Sequence, residues 1–122
     1  MYTDQVIKHF KNPKNMGKIK NPDAQSEAAN DACGDLMQFY IKVRNNKITE
    51  ISFETMGCPA AIATSSVVTE IAKGKTLAQA KKISFSQVAK ELGGLPKIKM
   101  HCSHLAVGAL LKAIKNYEKK KN

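Results

Sequence analysis

Five side chains in this sequence could hold or activate a soft metal: Cys33, Asp35, Cys58, His101 and Cys102. Cys33 and Asp35 stand on either side of Gly34 in "NDACGDLMQF", a thiol and a carboxylate joined by the residue that bends most freely. Cys58 precedes Pro59, and Cys102 adjoins His101. Three cysteines is an odd number and none forms a CxxC pair, which argues against a disulfide framework, a zinc ribbon or a thioredoxin-type motif. If the three segments converge, the site has three thiolates, one imidazole and one carboxylate. Such a set suits zinc or an iron–sulfur cluster.

Mixed ligation has a chemical consequence. A structural metal site keeps its four ligands permanently, whereas Asp35 supplies a hard oxygen where a thiolate would hold iron more durably. A carboxylate hinged at Gly34, with His101 as an alternative fourth ligand, suits a site that takes up its metal and later gives it away.

The elements that must position these residues follow from periodicity. Thr3 can cap a short helix in which Val6, Ile7 and Phe10 share a side, ended by Asn12-Pro13. A loop reaches about Asp23, and a weak strand is expected at 25–29. From Leu36 the pattern has period two, with Met37, Phe39, Ile41 and Val43 on one face. Asn45-Asn46 suits a two-residue hairpin turn, and the return strand runs over 47–56. Residues 59–73 suit a helix with Pro59 at its first position and Gly74 as its stop. "TLAQ" and "SFSQ" each resemble a capping box ahead of a short helix. The last helix is expected from Ser103, with Ala106, Leu110, Ala113, Ile114 and Tyr117 inward and a frayed tail at 118–122. Strands first and helices after define an α+β fold, a three-stranded antiparallel sheet with helices on one face, in a single domain over 1–122. In this scheme Cys33 sits at the mouth of a strand, and Cys58 and Cys102 at helix N-termini, where a thiolate is favoured. Cys102, after a Lys-flanked segment, is expected to be the mobile and reactive thiol.

Length and charge narrow the partners. The 122 residues are 43% hydrophobic and carry no Trp, so the core is aliphatic. No apolar run approaches a membrane span of roughly 20 residues, and the start lacks a signal peptide, so a cytoplasmic protein without membrane contact is expected. Twenty basic against ten acidic residues give a net charge of +10, with lysines clustered at 8–20 and 112–121. Arg44 is the sole arginine and no nucleic-acid-binding motif occurs, so specific nucleic-acid binding is not expected; an acidic protein partner fits better. His9 and His104 are expected at the surface.

"ACGD", "MGCPAAIATSSVVTEIAKGK" and "LPKIKMHCSHLA" resemble the three motif segments of the IscU/NifU-type iron–sulfur cluster assembly scaffolds, and "HFKNPKNMG" extends the resemblance over nearly the whole chain. It implies a non-enzymatic scaffold that receives sulfur from a cysteine desulfurase, assembles a [2Fe–2S] cluster on Cys33, Asp35, Cys58, His101 and Cys102, and passes it to apo-proteins. It implies iron as cargo, zinc as an occupant of the cluster-free site, Cys102 as candidate persulfide acceptor, and a monomer or cluster-linked homo-oligomer. The sequence departs from the family in two places that matter. Pro59 stands where glycine is usual. The segment read by a dedicated Hsp70-type chaperone is here "LPKIK", with Lys97 for proline, so the resemblance breaks where that partner would bind. Two rival readings are a zinc-dependent sulfur relay and a structural zinc domain.

Overall fold

A computed structural model describes residues 2–30 and 35–121 of the chain; Cys33 and Gly34, and the expectations placed on them, lie outside the described residues. In chain order the elements are α1 (Asp4–Lys11), β1 (Ala24–Asn30), β2 (Asp35–Arg44), β3 (Lys47–Met56), α2 (Pro59–Ala72), α3 (Leu77–Ala80), α4 (Phe85–Glu91) and α5 (Met100–Lys121), with a 3-10 turn at Lys97–Lys99 leading into α5. The strands form an antiparallel meander in the order β1-β2-β3.

The hairpin turn is set by Asn45 and Asn46, whose φ angles of 52° and 62° make the left-handed pair that a two-residue turn requires. The inward residues of β2 (Met37, Phe39, Ile41 and Val43) are buried as the alternation predicts, and they pack with Ile48, Ile51 and Phe53 against α2 and α5. A register shift between Lys42 and Val43 pairs Lys42 with Glu50 but Val43 with Ile48. The extra residue, Thr49, lets Ile48 and Ile51 both face inward, which strict alternation forbids. α2 starts with Pro59 in its first turn and ends before Gly74, at φ 85°. Thr76 and Gln79 make a reciprocal capping box; Ser84 caps α4 through the Gln87 N–H.

Three expectations are corrected. In α1 only Val6 is buried, while Ile7 and Phe10 are about two-fifths exposed. The side that meets α2 runs through Val6 and His9 instead: His9 Nδ1 lies 2.8 Å from Ser66 Oγ, so His9 is a half-buried tether rather than a surface residue. Ser66 Oγ also accepts the Lys14 N–H at 2.8 Å, and Asn15 bonds both Thr69 and the β3 backbone, tying the loop after α1 down along α2. Third, α5 begins at Met100, not Ser103, so His101 and Cys102 lie inside its first turn. α5 runs to Lys121, and Glu118 pairs with Lys81 at 2.6 Å.

The far half of α5 closes the free edge of β1. Lys112 Nζ donates to the Glu27 carbonyl at 3.0 Å, Asn116 Nδ2 to Gln25 at 2.8 Å and Lys120 Nζ to Asp23 at 3.5 Å. A four-residue step along a helix is about 6 Å and a two-residue step along a strand about 6.8 Å, so the comb stays in register. An unpaired edge is otherwise a template for strand addition. The triple variant Lys112→Ala/Asn116→Ala/Lys120→Ala is therefore expected to exchange its β1 amides several-fold faster and to self-associate as concentration rises. Unchanged β1 exchange and a strictly monomeric sedimentation profile would show that the comb does not guard the edge.

Candidate metal centre

Three chain junctions meet at one end of the sheet. Asp35 is the first residue of β2, paired with Asn30 of β1. Cys58 is the N-cap of α2; its backbone carbonyl accepts the Ala61 and Ile62 N–H groups, and its side chain makes no capping bond. Pro59 needs no hydrogen bond at this first helical position. The 3-10 turn then delivers His101 and Cys102 on the first turn of α5.

Of the five side chains singled out in the sequence, the structure brings four together. Cys58 Sγ lies 3.9 Å from Cys102 Sγ. Cys102 Sγ lies 3.6 Å from Asp35 Oδ2 and 3.5 Å from His101 Nε2. His101 Nε2 lies 3.4 Å from Asp35 Oδ2. One donor atom each from Asp35, Cys58 and Cys102 falls within 4.8 Å of the others, close enough to share one ion. Cys102 and Asp35 form the buried floor, at 0% and 4% exposure; His101 and Cys58, both partly exposed, form the mouth.

This burial sets the surroundings of two residues. Cys102 is not at an exposed helix end. Burial chiefly, with the Cys58 sulfur and the Asp35 carboxylate adding to it, pushes its thiol well above the ordinary range. The helix-end field that favours a thiolate is outweighed by desolvation, the Cys58 sulfur and the Asp35 carboxylate. Asp35, for its part, is enclosed at the start of β2.

Three residues near the site escaped the sequence reading. Tyr2 and Lys99 both face Cys58: burial and then the Cys58 sulfur raise the Tyr2 phenol, and the Cys58 sulfur raises the Lys99 ammonium. Lys99 lies in the "LPKIK" segment and Tyr2 in the N-terminal one, and neither is marked by spacing or type. The third is Gly57, whose missing side chain leaves room for Asp35. His104 faces away from the site, exposed as expected and stacked on Phe85 with ring centroids 3.8 Å apart. No helix among the described residues is long and apolar enough to cross a membrane.

Two thiols, an imidazole and a carboxylate converge where three chain junctions meet on an α+β sheet-and-helix frame, a mixed soft–hard donor set that could hold a metal ion. The chain belongs to the NifU-like N-terminal domain family, whose model matches residues 1–122. It is 57% identical over 120 residues to iron–sulfur cluster assembly scaffold protein IscU 1 of Archaeoglobus fulgidus, covering 98% of this chain and 78% of that protein. To the scaffold protein IscU of Azotobacter vinelandii it is 45% identical, covering 98% and 96%. Among solved structures, the putative scaffold protein for the SUF system from Fervidobacterium islandicum AW-1 shares the fold, with a TM-score of 0.77 over 93% of this chain and 96% of that one at 23% identity.

Proposed function

We propose that this protein is a scaffold on which a [2Fe–2S] cluster is built and from which it is handed on. The observation that carries the reading is the cluster in which Cys102, Asp35 and His101 lie within hydrogen-bonding distance of one another and Cys58 lies against Cys102; Cys33 is the further thiol ligand. Iron and sulfide are cargo here, so the protein works as a carrier beside an enzyme, not as one. The sulfur donor is a cysteine desulfurase that brings a persulfide, and the receivers are apo iron–sulfur proteins in the cytoplasm. Lys97 in the chaperone segment argues against the dedicated Hsp70-type partner.

The geometry suggests an order of events. Without iron, Cys102 holds its proton, because burial, the Cys58 sulfur and the Asp35 carboxylate oppose the thiolate. Coordination to a cation removes a thiol proton outright. Asp35 Oδ2 and His101 Nε2 flank the Cys102 sulfur, and the partly exposed His101 ring links that proton to solvent. Iron held by Asp35, Cys58 and Cys102 would displace that proton and leave Cys102 as the thiolate. Its thiolate then attacks the terminal sulfur of the desulfurase persulfide; the S–S bond breaks and the desulfurase cysteine leaves as thiolate, with no net redox change. Reduction of the bound sulfur to sulfide takes two electrons from an external electron carrier.

Anaerobic incubation with ferrous iron, cysteine, a desulfurase and a reductant tests the reading. Visible charge-transfer absorption with two iron and two sulfide per cluster is expected. A protein that gains a persulfide yet keeps only zinc, with no visible band, would be a sulfur relay, and the scaffold reading would fail.

A further inference from the structure

Gly57 is not in the left-handed region of backbone space, so conformation does not require glycine there. Space does. A Cβ at position 57 would stand 2.7 Å from Asp35 Oδ1, 3.2 Å from Asp35 Cγ and 2.9 Å from the Ala61 Cβ. The carboxylate is enclosed on its other side: Oδ2 lies against His101 Nε2 and Cys102 Sγ, and the side chain is 4% exposed. It cannot yield to a methyl group at 57 and keep those distances.

We propose that Gly57 is a positioning residue for the metal centre: its bare Cα is the wall against which the Asp35 carboxylate is seated toward His101 and Cys102. The claim goes past ligand identity. The residue before Cys58 decides whether the hard oxygen ligand joins the soft ones, although position 57 itself offers no ligand. Because α2 begins one residue beyond Cys58, the same bend that sets the Cys58 sulfur also sets the carboxylate. Oxygen and sulfur ligands are thus held in register by one short segment, 57–58. The importance for cargo rests on the scaffold reading; the seating of Asp35 does not.

The test separates the two. Gly57→Ala alone strains Ala61 as well, so Gly57→Ala/Ala61→Gly, which removes that second contact, is made beside it, with Ala61→Gly as control. In a crystal structure of the metal-free double variant, Asp35 Oδ2 is expected to have left His101 Nε2, opening their 3.4 Å separation beyond hydrogen-bonding range. In cobalt(II) titrations of the apo-protein, read by thiolate-to-metal absorption, the double variant is expected to shift from the parent's affinity and band position to those of Asp35→Ala. The same pair of substitutions in an Asp35→Ala background is expected to change nothing further, since the group they displace is gone. A carboxylate that keeps its place, or an equal shift in the Asp35→Ala background, overturns the proposal. If the parent protein fails to bind cobalt through thiolates, the scaffold reading falls, and the crystal structure still decides what Gly57 does.

Discussion

Iodoacetamide added to metal-free protein at pH 7.5 is expected to label Cys58 at least ~100-fold faster than Cys102, because only thiolate reacts and Cys102 is both buried and held protonated. Cys102 has no exposed surface, and its thiol is raised by burial, by the Cys58 sulfur and by Asp35. Its labelling rate should climb about tenfold per pH unit through the accessible alkaline range, as expected for a thiol still below its pKa. The same shift has a stability consequence with a definite sign. The unfolded chain releases this proton near pH ~8.5 and the folded one retains it, so the contribution to stability is complete below that pH and declines as pH rises above it. Ferrous iron reverses the reactivity: desulfurase-borne persulfide should be found on Cys102 when iron is present and be nearly absent from it otherwise. Peptide mass spectrometry reads both. Equal labelling of Cys58 and Cys102 without iron would mean that the buried floor opens freely, and the iron-first order would be abandoned.

The second large effect belongs to Asp35. Asp35→Ala removes the single hard ligand from a soft site, and it also removes one of the causes that keep the Cys102 thiol protonated. Both changes favour durable thiolate ligation. The fold should survive, since a buried carboxylate is costly to keep and Asp35, at the start of β2, is not part of the apolar core cluster. The half-life of the visible cluster band should lengthen several-fold, with transfer to an acceptor slowed to match, and Cys102 in metal-free protein should become easier to alkylate. A cluster lost faster than from the parent would make Asp35 a holding ligand, and the account of lability would be wrong.

Most of the frame was legible because it rests on local signals. The alternation 37–43 fixes a strand face, Asn45-Asn46 a turn, Pro59 and Gly74 the ends of a helix, and each of these holds in the folded chain. What escaped depends on the third dimension. The bulge at Thr49 is visible only once β2 and β3 are paired. Ile7 and Phe10 follow a helical stripe, yet α2 meets α1 with a polar contact, Ser66 to His9, that no apolar periodicity signals. The start of α5 was misjudged because "KIKMHC" has no capping residue or apolar rhythm ahead of Ser103, and a 3-10 turn at Lys97–Lys99 leads straight into the helix. For the site, residue types named Asp35, Cys58, His101 and Cys102, but not which are floor and which are mouth. Burial is a property of what packs over a residue, so the sequence marks Cys102 as a thiol beside a helix start and does not show that it is the sheltered one. Gly57 was invisible for the same reason: its role lies in what it leaves out.

Transfer tests the central claim that this centre is built to hold a cluster and let it go. Protein reconstituted anaerobically with iron and sulfide is mixed with an apo-ferredoxin, and the two are separated and assayed for cluster over time. The account predicts intact transfer within minutes, at a rate unaffected by an iron chelator in solution and slowed by Asp35→Ala. A cluster that stays on the chain, or that reaches the ferredoxin only as chelatable iron and free sulfide, would contradict it.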